Sequence, residues 1–127
     1  MKALSVREPW ATLIVRYGKN VENRTWQMRH RGPLVICASK VVDGPALDFY
    51  TKRWPGLPSE VMPGLAVGCV LVIGCDEVDV GSPWEMPGQW HIRLANPQPF
   101  VRPFPITGRL GLFDVHSHLV DKAIEGY

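Results

Sequence analysis

Apolar and polar positions along the chain fall into short blocks whose period changes from one block to the next. The block "KALSV" (2–6) reads as a first strand. In "EPWATLIVRYG", Trp10, Leu13, Ile14 and Tyr17 recur at i, i+3, i+4 and i+7, which predicts a helix over 9–17, with Pro9 in its first turn and Gly18 ending it. "NVENRTW" (20–26) alternates as a half-buried strand does, with Val21 on one face and Glu22 and Arg24 on the other. "PLVICAS" (33–39) is a continuous apolar run and predicts a strand buried on both faces.

Next, "DGPALDFYTKRW" (43–54) carries an Asp N-cap, a proline near the first turn, and Leu47 and Tyr50 at helical spacing. The Pro/Gly-rich 55–64 reads as a surface loop, and 65–80 as a long strand with Gly68 and Gly74 as bends or bulges. Residues 81–88 form another irregular loop, "QWHIRL" (89–94) alternates again, and 109–115 is a last strand. The proline-broken "ANPQPFVRPFPITG" between them is at best an edge strand. The tail, from Ser117 as cap, reads as a closing helix. About six strands, one helix inserted after the first, and glycine-marked bends predict a mainly β domain with short helices, α+β, closed or nearly closed into a small barrel.

At 127 residues the chain is one domain with no repeat or linker, long enough to bury a core without staples. Three cysteines inside or at the ends of apolar runs, with no disulfide framework, point to reduced thiols and a cytoplasmic setting. The longest apolar run, "GLAVGCVLVIG", is too short to span a bilayer, and "MKALSVREPW" has no signal-peptide core, so no membrane role is expected. The net charge of +2 is small, but the charge is unevenly spread. From Asn23 to Val42 there is no acid, while Arg24, Arg29, Arg31 and Lys40 are basic; from Leu71 to Met86, Asp76, Glu77, Asp79 and Glu85 stand without Lys or Arg. Such polarity steers a polyanion to one face.

The candidate chemistry lies in "RYGKNVENRTW" (16–26). Gly18 frees Lys19 at a turn as a mobile cation, and strand period places Glu22 and Arg24 on a shared face. The lysine gives three donors, the guanidinium a planar fork for phosphate or a base edge, and Glu22 can orient either or accept from an exocyclic amine. With Trp10 and Trp26 beside them, a base could stack; equally, Glu22 and Arg24 could be a simple ion pair and both indoles core. Arg31 and Lys40 read either as phosphate contacts or as residues of solvated strand ends. Because Glu22 is expected at a cleft and outside the core, Glu22→Lys is expected to remove binding without unfolding the chain. His116 and His118 with Cys69 and Cys75 lack metal-site spacing, and no phosphate loop, dinucleotide fingerprint or nucleophile elbow occurs, so neither metal nor cofactor is expected.

"LSVREPWATLIVRYGKNVENRTW" followed by "RGPLVICASK" closely resembles the N-terminal signature of the ASCH domain family: an R/Q-P-aromatic helix start, a G-x-K-x-h-E-x-R segment and an R-G-x-h-x-I-x-A strand. "GQWHIRLANPQPFVRPFPITGRLGLFDV" resembles the family's C-terminal pattern, so the resemblance covers residues 3 to about 115 of a single domain spanning 1–127. It implies a small PUA-like β-barrel with a cleft beside the first helix. It also implies binding of RNA, of other single-stranded nucleic acid, or of a modified nucleoside. Small ASCH amidohydrolases that deacylate N4-acetylcytidine use a lysine in this segment, a threonine three residues on and a later glutamate; other members are ribonucleases. The lysine falls on Lys19, but Glu22 stands at the threonine, and the later glutamate has no clear match among Asp76, Glu77 and Glu85. An amide hydrolase needs a base, an oxyanion donor and an acid, roles open to Lys19 and Glu22 unless they form a fixed, idle ion pair.

Overall fold

The computed structural model describes residues 1–126. Six strands, β1 (Lys2–Glu8), β2 (Val21–Arg24), β3 (Gly32–Val42), β4 (Leu65–Asp76), β5 (Trp90–Pro105) and β6 (Leu112–Asp114), form one sheet in the order β2-β5-β4-β3-β1-β6. Helices α1 (Trp10–Arg16), α2 (Gly44–Thr51), α3 (Leu57–Glu60) and α4 (Ser117–Glu125) surround it. The sheet is mixed, because β1 pairs in parallel with β3 while the other pairs are antiparallel. The sheet is thus mainly antiparallel with one parallel pair, and among the described residues its strand order is open, with β2 and β6 at its two ends, where a closed or nearly closed barrel was expected.

Period-two alternation explains why the central strands look uniformly apolar. Leu4, Val6, Leu34, Ile36, Val70 and Val72 join Ala11, Ile14 and Val15 of α1 in one core on one face. Ala3, Val35, Cys37, Cys69 and Phe100 join Val120 and Ala123 of α4 in a second core on the other. A strand covered on both faces has no polar positions to alternate. The cysteines are free, and burial pushes Cys37 up to about 12 and Cys69 up to about 11, as inert core thiols require.

Several boundaries differ from the sequence expectation for local reasons. β4 stops at Asp76 rather than residue 80, because the Asp76 carboxylate turns to accept from the Val78 amide and to bind Arg93. The proline-rich segment continues β5 as an edge: β2 pairs only with residues 90–93, so the prolines beyond face no second neighbour. The loop at 55–64 contains α3, anchored by buried Leu57. The last strand shortens to Leu112–Asp114, and α4 is capped by the His116 ring, which accepts from the His118 amide, instead of by Ser117. Asp43 does cap α2, accepting from the Ala46 amide.

An unforeseen acid anchors α1. Glu8 is fully buried and accepts from the Thr12 amide (2.8 Å), the Thr12 hydroxyl (2.7 Å) and the Met62 amide (2.8 Å), tying the helix start to the segment after α3. Three donors satisfy a carboxylate that forms no ion pair among the described residues. No helix of the described residues is long and apolar enough to cross a membrane.

Both expected glycine bends fall at register shifts between β4 and β5, at Gly68 and at Gly74. At Gly68 a Cβ would lie 2.7 Å from the Gln98 carbonyl oxygen and 2.8 Å from Val15 Cγ1, so α1 and β5 both close onto bare backbone. Gly68→Ala should lower stability by about 1–3 kcal/mol in urea unfolding. A loss below about 0.5 kcal/mol, the range of an ordinary surface change, would show that this contact is not tight.

Candidate functional site

The charged segment is shaped by the end of α1. Gly18 adopts a left-handed φ of +78°, and the Tyr17 and Lys19 amides both return to the Leu13 carbonyl, at 3.1 and 3.0 Å. That closure turns Lys19 back beneath the helix, where it is only 4% exposed. Its ammonium donates to the Val21 carbonyl and to Glu22 Oε1, the latter at 2.9 Å, and lies 5.6 Å from the centroid of the Trp10 ring. The expected mobile cation is thus a buried, fixed one.

Glu22, 9% exposed, is used on both oxygens. Oε1 takes Lys19, and Oε2 takes Arg24 Nε at 3.1 Å and Nη2 at 3.0 Å. Arg24 Nη2 also donates to the Ser5 carbonyl of β1 at 2.9 Å, while Nη1 keeps no protein partner among the described residues. Burial alone would raise the Glu22 carboxyl; Lys19 and Arg24 outweigh it and hold the group below its ordinary 4.5. Two consequences correct the sequence reading. Glu22 has little capacity left to accept from an exocyclic amine. Glu22→Lys, expected to spare the fold, would set three cations together in a buried position and is destabilising.

A cleft of about 1260 Å³ opens above this network. It brings together Trp10, Lys19, Glu22, Arg24, Trp26 and Lys40 from the sequence-predicted set. Arg31 is not among the lining residues; its guanidinium donates to the Met28 and His30 carbonyls in the turn before β3. The geometry adds Arg7, Tyr50, Trp84 and Arg109 to the walls. Arg7, Lys40 and Arg109 are exposed and form no ion pair among the described residues.

Trp84 was missed because it lies in an irregular loop, although a tryptophan among prolines, with no strand or helix to bury it, is itself a signal. Asn23 and His91, opposite one another in the β2–β5 pair, hold that loop. Asn23 donates to the Trp84 carbonyl (2.8 Å) and accepts from the Met86 amide (3.0 Å), and buried His91 bonds Asn23 (2.9 Å) and Asp79 (2.7 Å). The acidic stretch serves the same purpose. Arg93 gathers Asp76, Glu85 and the Val78 carbonyl, and Glu85 also accepts from the Val80 and Ser82 amides. The Arg93 hydrogen bond lowers Asp76; at Glu85 burial works upward but Arg93 and the two amides hold it below its usual value. Glu77 is exposed and does not line the cleft. No cluster of three or more potential ligand side chains among the described residues is placed to hold a metal ion.

A carboxylate depressed in the fold adds stability that is full above its unfolded value and is lost as pH falls through the folded one. Glu22→Gln should therefore cost about 3 kcal/mol near neutral pH, since it leaves a buried ammonium half-paired. Measured by urea unfolding, the gap from wild type should narrow as pH falls below 4.5, the ordinary value of the group. A gap independent of pH would contradict the ion-pair assignment.

The sequence profile of the ASCH domain matches residues 4–104. Human activating signal cointegrator 1 is 31% identical over 139 aligned positions, covering 97% of this chain and 24% of that protein. The mouse protein of the same name is 31% identical over 137 positions, with the same coverage of 97% and 24%. The chain thus spans about a quarter of the length of these curated relatives. The crystal structure of an ASCH protein from Zymomonas mobilis superposes with a TM-score of 0.62 at 14% identity, covering 98% of this chain and 93% of that one. A point mutant of that protein gives 0.61 at 15% identity, covering 98% and 96%. At that identity the likeness speaks for the fold, and the profile match, running from the first strand into the fifth, speaks for the family: the chain belongs to the ASCH domain family.

Proposed function

We propose that the cleft binds nucleic acid, RNA foremost, or a modified nucleoside, and that it does so by stacking and phosphate contact. The observation that carries this is the division of labour among its charges. Of the three lining acids, Glu22 and Glu85 are consumed inside the protein by Lys19, Arg24 and Arg93, and Asp43 spends its oxygens on the Trp10 indole and the Ala46 amide, whereas Arg7, Lys40, Arg109 and one amino group of Arg24 are left to a ligand. A pocket whose available charge is positive and whose walls carry Trp10, Trp26, Tyr50 and Trp84 suits an anion with a flat ring. The PUA-like character implied by the sequence resemblance points the same way.

The same geometry weighs against amide hydrolysis or RNA cleavage centred on Lys19. A general base needs a lone pair facing the substrate, and the Lys19 ammonium spends its donors on Val21, Glu22 and the Trp10 face. Glu22, the candidate partner base, accepts three hydrogen bonds from cations. Of the candidates for a second carboxylate, Asp76 and Glu85 are held by Arg93, and Glu77 is exposed away from the cleft lining.

Affinity for a short single-stranded RNA should fall as salt rises, with a logarithmic slope that becomes shallower by about 0.7 for each phosphate contact removed. Arg7→Ala, Lys40→Ala and Arg109→Ala should each flatten it, and Arg31→Ala should leave it unchanged. Incubation with N4-acetylcytidine should yield no cytidine. Salt-independent binding, or deacylation that disappears in Lys19→Ala, would reverse the order of the two readings.

A further inference from the structure

The aromatic wall of the cleft continues beyond its mouth. Tyr50 is the hub: Trp10 meets it edge-on at 5.5 Å, Trp84 lies tilted at 5.7 Å, and Phe49 stands against it at 5.0 Å with 85° between the planes. Tyr50 lines the cleft, and Phe49, its neighbour in the chain, does not. Phe49 is 66% exposed, while every described Tyr and Trp and the other phenylalanines are buried or half-buried. A lone exposed phenylalanine would need no explanation, but this one extends a continuous run of rings.

The helix that carries it serves the core little. None of the α2 residues is buried, and its start is tied to the cleft by the Asp43 carboxylate, which accepts from Trp10 Nε1 at 3.3 Å. Trp54, the next ring outward, is already covered by Tyr50 at 6.0 Å and by the Arg53 guanidinium at 4.7 Å. Phe49 alone offers most of its surface. Charge near the ring is mixed but mainly positive: Lys40 on the cleft rim and Lys52 one residue beyond α2 are exposed, as is Asp48 next to Phe49 in the chain, and none of the three forms an ion pair among the described residues.

Resting on the reading that the cleft takes one nucleotide, we infer that Phe49 is a second stacking platform, for the base adjacent to the one in the cleft. The partner is then a single-stranded polynucleotide. A free nucleoside has no second base to stack, and a duplex has already spent its base faces on its own stack. The phosphate that links the two bases meets the cations of this side, Lys40 and Lys52.

The test compares uridine 5′-monophosphate, hexauridylate and an RNA duplex of equal length on the whole protein and its Phe49→Ala and Phe49→Tyr variants. Hexauridylate should bind wild type more tightly than the duplex does. Phe49→Ala should weaken hexauridylate roughly tenfold, Phe49→Tyr should restore it, and the mononucleotide should bind all three alike. Because Phe49 is exposed, the variants should keep the wild-type circular dichroism and unfolding midpoint. If wild type binds hexauridylate and Phe49→Ala matches it, this inference falls while the cleft reading stands, and the ring serves another partner such as a protein. An equal loss for monomer and hexamer, or a duplex bound as tightly as the single strand, also overturns it. If wild type binds neither single-stranded ligand, both readings fall.

Discussion

One side-chain bridge holds this molecule in its working shape. Strands β1 and β2 are separated in the sheet order by β3, β4 and β5, yet Arg24 of β2 donates to the Ser5 carbonyl of β1 at 2.9 Å. A sheet whose first and fifth strands touch through a guanidinium is strongly coiled, and it coils around the core that α1 fills. The seam between these strands is joined by a charged side chain instead of by a ladder of amides. A ladder would have closed the gap; the bridge leaves it open as a cleft.

The bridge in turn depends on Lys19 and Glu22. A guanidinium reaching across a seam is flexible unless something fixes its other side, and Glu22 Oε2 does so with two hydrogen bonds. Glu22 can sit there as a buried anion because Lys19 meets its second oxygen, and Lys19 is there because the Gly18 turn folds the end of α1 back on itself. Each charge in the chain thus stands on the one before. The order helix, turn, lysine, glutamate, arginine is also the order in the sequence, so the floor of the cleft is assembled from one local segment. The walls are not local. They come from β1, α2, the loop carrying Trp84 and the loop after β5, and the last two need Asn23, His91, Arg93 and their partners to hold position.

Local assembly accounts for what could be read from the sequence. The 9–17 helix, the strand-face pairing of Glu22 with Arg24, the buried central strands and the glycine bends are all set by residues within a few positions of one another. So is the gathering of Trp10, Lys19, Glu22, Arg24 and Trp26 at one cleft, with Lys40 brought in by β3. Where Lys19 points was not legible, because a left-handed glycine can send the next residue to solvent or back under the helix, and the hydrogen bonds to Leu13 decide it. The parallel β1–β3 pair, the buried Glu8 and the loop that brings in Trp84 depend on contacts tens of residues away. Arg31 misled for the opposite reason: it belongs to the same basic stretch as Arg24 and Lys40, but a turn before β3 takes it out of the cleft.

On the proposed reading, Lys19, Glu22 and Arg24 are the scaffold of a binding cleft and do no bond-breaking of their own. A crystal structure of the protein with a bound short oligouridylate tests it most directly. A base should stack on the ring wall of Trp10, Trp26, Tyr50 and Trp84, with phosphate near Arg7, Lys40 or Arg109, while Glu22 keeps its hydrogen bonds to both Lys19 and Arg24. A ligand that draws the Lys19 ammonium or the Glu22 carboxylate out of that ion pair and onto its own reacting atoms would contradict the claim.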